Sequence, residues 1–156
     1  MNIEGLSVAD FNWIREHIYD FWDSEEMVEF HHSIFVREFR ETAFVIHDPR
    51  EKIVVAYLLG LLPPGRDYGY VHLVATHRLH RRHGLAGDLY EHFFEICRNA
   101  GLKHVRAITR IRNHASIAFH RELGFLRAGN VLSGGVPVAR NYSGHGEDRY
   151  LFIKDL

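Results

Sequence analysis

Disulfide chemistry is closed to this chain. Its 156 residues include one cysteine, Cys97, so no internal bridge can form and a reducing, cytoplasmic setting is expected. Cys97 falls beside an apolar helical stripe and reads as a buried structural thiol, not a nucleophile. Long apolar runs are missing too. The longest, Ile53 to Leu62, stops at Pro63-Pro64, short of the roughly 20 residues a bilayer demands. The opening MNIEGLSVAD has neither the basic flank nor the apolar run of an export signal, so no membrane partner is expected. An excess of charge is also lacking: Lys plus Arg number 19 against 20 for Asp plus Glu. That balance argues against a dedicated nucleic-acid binder. There are no internal repeats, low-complexity tracts or linkers. With 46% apolar and 25% charged residues, the composition is that of a globular protein, and residues 1–156 are expected to form one domain.

What is present centres on Tyr70 to Asn99. Tyr70 to Thr76 is aromatic and β-branched and reads as a strand. From about Gly84, Leu85, Leu89, Phe93, Ile96 and Ala100 recur at helical spacing. Between them lies the basic turn His77-Arg78-Leu79-His80-Arg81-Arg82-His83-Gly84. A helix start leaves its first N–H groups unpaired and carries the positive end of the dipole. A glycine there permits close approach of a ligand, and the arginines suit a phosphate. An ordinary solvated basic turn is the competing reading.

Arg81-Arg82-His83-Gly84-Leu85-Ala86 resembles the Gln/Arg-x-x-Gly-x-Gly/Ala signature of the GNAT superfamily of N-acetyltransferases. Asn113-His114-Ala115-Ser116-Ile117-Ala118-Phe119-His120-Arg121-Glu122-Leu123-Gly124-Phe125 is similar to that family's second cofactor motif, which ends in Leu-Gly-Phe. The two blocks stand in order and at fitting separation, and cover about the middle third of the chain. The resemblance implies an α/β (α+β) fold with a mixed central sheet flanked by helices. It implies acetyl-coenzyme A as cosubstrate, with Arg81, Arg82, His83, Gly84, Leu85, Ala86 and Gly87 at the diphosphate. Val74, Ala75 and Thr76 would hold the pantetheine arm through their backbone, and Asn113 and Ser116 would reach the cofactor from the second motif. It implies direct attack by a primary amine, of a small molecule or of a peptide, and it allows a homodimer. A non-catalytic acyl-coenzyme A sensor is the alternative.

The family's frequent thiolate acid is a tyrosine just before Leu-Gly-Phe; this chain has His120 there. Histidine can donate a proton near neutral pH, so His120 is a candidate acid; the other reading is that His120 only packs and that Tyr142 or water protonates the thiolate. His72 shares a strand face with Tyr70, Val74 and Thr76 and is the candidate base, with a hydrogen-bonded core histidine as the other reading. Glu25, Glu26, Asp148, Tyr142 and His145 are weaker acceptor-side candidates. Although histidines number 13, no cysteine pair or carboxylate completes a metal-ligand set around His77, His80 and His83, and no metal is expected.

The flanks read more coarsely. Ser7 or Asp10 should cap a helix over Phe11 to Phe21, and Asp23 or Ser24 a second helix over Glu25 to about Arg40. Ala43 to His47 and Ile53 to Leu62 should form a hairpin. Val105 to Thr109 should pair parallel to the Tyr70 strand after a helical crossover. Asn113 and Gly124 should bound the last helix. Leu126 to Val131 and Tyr150 to Ile153 read as strands, with a loop over Leu132 to Asp148.

Overall fold

A capping box at Ser7 sets the first helix of the computed structural model, which describes residues 2–156. Ser7 Oγ accepts from Asp10 N–H, and the Asp10 carboxylate accepts from Ser7 N–H, both at 3.1 Å. After β1 (Ile3–Gly5), α1 runs over Val8–Glu16. The single helix expected to Phe21 is interrupted at His17, whose ring stacks on Trp13 at 4.1 Å and donates from Nδ1 to the Trp13 carbonyl. A second, short helix, α2 (Ile18–Trp22), ends on Asp23 in the left-handed conformation.

The expected helix over Glu25 to Arg40 is corrected further. The chain forms a 3₁₀ turn at Glu25–Phe30, the brief α3 (Ile34–Arg37) and another 3₁₀ turn at Arg40–Thr42. Side chains take the carbonyls a longer helix would use. His31 Nδ1 donates to Met27 O at 2.7 Å, and Arg15 donates to the carbonyls of Val28 and His31.

Next come β2 (Ala43–His47), β3 (Val54–Leu61), β4 (Tyr68–Thr76) and the long α4 (Leu85–Asn99). Asp48 shapes the β2–β3 turn by accepting the N–H groups of Arg50 and Glu51 at 2.8 Å each. Then follow β5 (His104–Arg110), α5 (His114–Glu122), β6 (Leu126–Ala128), β7 (Val131–Ser133), β8 (Val136–Val138) and β9 (Arg149–Asp155). The expected strand to Val131 therefore breaks after Ala128, and the expected loop carries the β7–β8 hairpin. Gly134 and Gly135 both have positive φ, the backbone a two-residue hairpin turn requires.

The fold is α+β, with a seven-stranded mixed sheet ordered β1-β2-β3-β4-β5-β9-β6. The β4–β5 pair is parallel; the β1–β2, β2–β3, β5–β9 and β6–β9 pairs are antiparallel. The chain divides into two compact units. One comprises the segment up to Leu62 and His72–Ile96; the other comprises Pro63–Val71 and Cys97–Leu156. Strand β4 contributes its first half to the second unit and its last five residues to the first.

In the first unit, Phe11, Ile14, Ile18 and Phe21 pack with Val45, Tyr57, Leu59, Leu73 and Ala75. Each large apolar side chain buried this way contributes about 1.5–3 kcal/mol. Alternation sends Phe44 to the opposite sheet face, where its ring meets His92 of α4 at 4.7 Å. Gly60 lets α4 sit close: a Cβ there would lie 2.7 Å from the Phe93 ring and 3.1 Å from Thr42 O. Gly60→Ala is expected to cost about 1–3 kcal/mol through overpacking, read as a lowered denaturant midpoint at unchanged slope. An unchanged midpoint would mean that α4 has slack at this contact.

In the second unit α5 is seated by His120, whose ring lies parallel to Phe152 of β9 at 4.3 Å. Among the described residues no helix is long and apolar enough to cross a membrane.

Candidate active site

Strand β4 alternates regularly between buried Gly69, Val71, Leu73 and Ala75 and half-buried Tyr70, His72, Val74 and Thr76. The apolar set enters the core, which leaves the second set half-buried. Its parallel ladder with β5 covers only Tyr68–Val71. His72 to Thr76 lie beyond it. A strand edge without a ladder partner presents N–H and C=O groups to an extended ligand.

The strand ends where His77 N–H donates to Val55 O at 2.8 Å. A short 3₁₀ turn, Arg78–His80, leads to the glycine. Arg82 and Gly84 both have positive φ, 66° and 78°, which folds the chain sharply into α4. Asp88 N–H donates to Gly84 O, making Gly84 the residue at the helix cap. Leu85, Ala86 and Gly87 then fall in the first turn, where N–H groups have no intrahelical acceptor. Leu85 is buried, whereas Arg82, His83 and Gly84 are exposed. A Cβ built on Gly84 would meet no heavy atom within 4 Å, so the space before these N–H groups is open. Open space, free N–H groups and the positive helix end fit a diphosphate.

The arginines divide in role. Arg81 donates to Phe21 O at 2.9 Å and to the Asp23 carboxylate at 3.0 Å. It fastens the turn to the end of α2. Arg78 pairs with Asp20 at 2.9 Å. Arg82 is exposed and carries the charge that remains for an anion, while His83 Nδ1 already donates to His80 O at 3.2 Å and leaves Nε2 for a ligand. His77, one of the three regularly spaced histidines, is buried and lies edge-on to Phe21. Among the described residues no three His, Cys, Asp or Glu side chains converge as a metal-holding group.

His72 lies against the irregular segment between β1 and β2, at Phe30 and Phe35. Its Nε2 is 3.0 Å from Phe30 O, and its ring stacks on Phe35 at 4.9 Å with 12° between planes. A carbonyl only accepts, so Nε2 carries the proton and Nδ1 keeps the lone pair. Burial pushes the imidazole below its ordinary pKa, keeping it neutral near pH 7. Both features suit a general base.

The second motif lies in the second unit. Asn113 caps α5, its side chain accepting from Ser116 N–H at 3.1 Å. His120 is buried; its Nδ1 is 2.8 Å from Ser116 O, and burial pushes its pKa down to about 4. A neutral ring with its N–H committed to a carbonyl is a poor source of protons. The His120 ring is thus held by Ser116 O on one side and by Phe152 on the other. Tyr142 is partly exposed and hydrogen-bonds Tyr70, whose hydroxyl burial pushes well above the ordinary tyrosine pKa. Glu25, Glu26 and His145 are exposed, and Asp148 accepts from Asn141 N–H. Cys97 is fully buried, its thiol pushed up to about 12 by burial.

Sequence reasoning missed Tyr57 and His31. Tyr57 sits in an uninterrupted apolar run, and His31 stood out only as half of an adjacent histidine pair. Their partnership depends on contacts 26 residues apart.

This geometry matches known proteins. The model of the acetyltransferase (GNAT) family matches residues 8–125, and the chain belongs to that family. It is an N-acetyltransferase, with acetyl-coenzyme A as acetyl donor. Among solved structures, Naa20 of Chaetomium thermophilum in complex with a bisubstrate analogue is 19% identical, with a TM-score of 0.79 over 100% of this chain and 87% of that one. The ribosomal-protein-S18-alanine N-acetyltransferase of Escherichia coli is 20% identical, with a TM-score of 0.68 over 99% and 92%. The NatC complex bound to Gag peptide and CoA gives 18% identity and a TM-score of 0.73 over 99% and 98%. At these identities the likeness is one of fold. No curated protein matches the chain.

Proposed function

We propose that this chain transfers the acetyl group of acetyl-coenzyme A to a primary amine of a small molecule or peptide by direct attack. The observation that carries the reading is β4 and its exit. A strand edge beyond the β5 ladder runs into a turn with an open glycine and unpaired helical N–H groups. In this reading the backbone of Val74, Ala75 and Thr76 aligns the pantetheine arm. The N–H groups of Gly84, Leu85, Ala86 and Gly87, with Arg82 and His83, hold the diphosphate, and Arg81 braces the turn. Asn113 and Ser116 stay candidate contacts, although their mutual bond already caps α5.

The chemistry requires a neutral amine and removal of one proton as the C–N bond forms. His72 takes that proton at Nδ1 while Nε2–H stays on Phe30 O. The C–S bond then breaks with its electron pair on sulfur, and the thiolate is protonated from water. Peptide acceptors are supported by the S18-alanine enzyme and by NatC, whose structure holds a peptide.

Acetyl-coenzyme A at a hundredfold excess over its Kd should stabilise the fold by about 2.7 kcal/mol. For a chain of this size that raises Tm by roughly 5–10 °C. Gly84→Val forces a β-branched residue into left-handed backbone, at about 1–2 kcal/mol, and fills the open space. The variant should fold with a somewhat lower Tm and lose the ligand-induced rise. An unchanged rise would remove the turn from the site. Release of free thiol across a library of amines and peptide N-termini then identifies the acceptor; silence across the library would favour the sensor alternative.

A further inference from the structure

The carbonyl that fixes His72 belongs to a segment with little regular structure. Residues 24–42 contain no strand, and their only α-helix is the four-residue α3. Phe30 O is nonetheless held 3.0 Å from His72 Nε2. Where that carbonyl sits decides which imidazole nitrogen keeps its lone pair.

The next residue supplies the anchor. His31 is 1% exposed and is bonded at both ring nitrogens. Nδ1–H donates to Met27 O at 2.7 Å, and Nε2 accepts from the Tyr57 hydroxyl at 2.6 Å. The same hydroxyl oxygen accepts from Trp22 Nε1–H at 2.6 Å. Tyr57 lies in β3 and is wholly buried, so the far end of this chain of bonds is set in the sheet. Every polar atom in it has a partner, which makes a buried network rigid instead of merely costly. A tyrosine needed only to fill the core would be matched by phenylalanine.

We propose that Tyr57 and His31 form a positioning pair for His72. They tie the Phe30 carbonyl to β3 and thereby hold His72 as the Nε2–H tautomer, with Nδ1 available to take a proton. The catalytic meaning of the pair rests on the base role given to His72 above; the tautomer itself can be read with no acceptor present.

Two-bond ¹H–¹⁵N correlations of the imidazoles at pH 7 test this on the full chain. In the wild type, His72 should show the Nε2–H form and His31 the Nδ1–H form. Tyr57→Phe keeps the ring and removes the hydroxyl. His72 should then populate both tautomers, and kcat should fall about tenfold, at the low end of what misplaced supporting groups cost, with KM for acetyl-coenzyme A unchanged. Trp22→Phe leaves the Tyr57–His31 bond in place and should leave the His72 tautomer as it was. An unmixed His72 tautomer in Tyr57→Phe, or a mixed one with undiminished kcat, overturns the pair. If Tyr57→Phe does not fold, the wild-type spectrum decides: His31 in the Nε2–H form would turn a bare Nδ1 lone pair toward Met27 O, break that bond and overturn the anchor. Failure of the transferase reading shows separately, as the absence of thiol release.

Discussion

Lowering the pH from 7 to 4 is expected to cost the fold about 6 kcal/mol, a large part of the stability of an ordinary domain. The source is two histidines from different units. His31 and His120 are each buried, and burial pushes each down to about 4, whereas an unfolded imidazole titrates at its ordinary value of about 6.5. Between those values the unfolded chain binds protons that the native chain refuses. Stability from these groups is therefore full above pH 6.5 and is lost as pH falls toward 4, at roughly 3 kcal/mol for each ring. Urea midpoints at pH 7 and pH 4 measure the effect. His120→Phe keeps a ring against Phe152 and should remove about half of the difference while leaving turnover at pH 7 intact. Equal midpoints at the two pH values would mean that these rings are hydrated. A collapse of turnover in His120→Phe would restore His120 as proton donor to the thiolate.

Replacing His72 is expected to reduce kcat by about 10²–10⁴-fold, the usual contribution of a positioned general base. His72→Phe preserves a ring against Phe35 and removes both nitrogens. Since the turn at Gly84 is untouched, the Tm rise with acetyl-coenzyme A should persist, which separates lost chemistry from lost binding. The pH profile gives a second signature. A base works only when neutral, so the rate falls as pH drops through its pKa. Burial pushes His72 below the ordinary imidazole value, so that fall should lie below pH 6.5 and vanish in the variant. Undiminished turnover in His72→Phe would transfer the base role elsewhere.

Much of the candidate site was legible because it is local. Gly84 could be identified from six adjacent residues, and its positive φ is the physical reason a glycine stands there. Asn113 and the alternation along β4 were likewise short-range patterns, and Asn113 caps α5 as expected. Features set by distant partners could not be read. Nothing in the six-residue signature shows that Arg81 also reaches Asp23 and Phe21 O. Nor does the second motif show that Phe152 lies parallel to the His120 ring. The helix expected over Glu25 to Arg40 had suitable charges and apolar residues, but Arg15 and His31 claim its carbonyls. The β7–β8 hairpin was missed although Gly134-Gly135 marks it, because strands of three residues, one containing Pro137, give little pattern on either side.

The guanidinium of Arg15 grips two carbonyls, those of Val28 and His31. Stretches secured by a few side chains open independently of a sheet secured by ladders. Amide exchange should therefore be quicker across residues 25–33 than in β3. Such a stretch can also diverge between relatives without disturbing the scaffold, because its carbonyls answer to a few side chains and no ladder has to be rebuilt around a change.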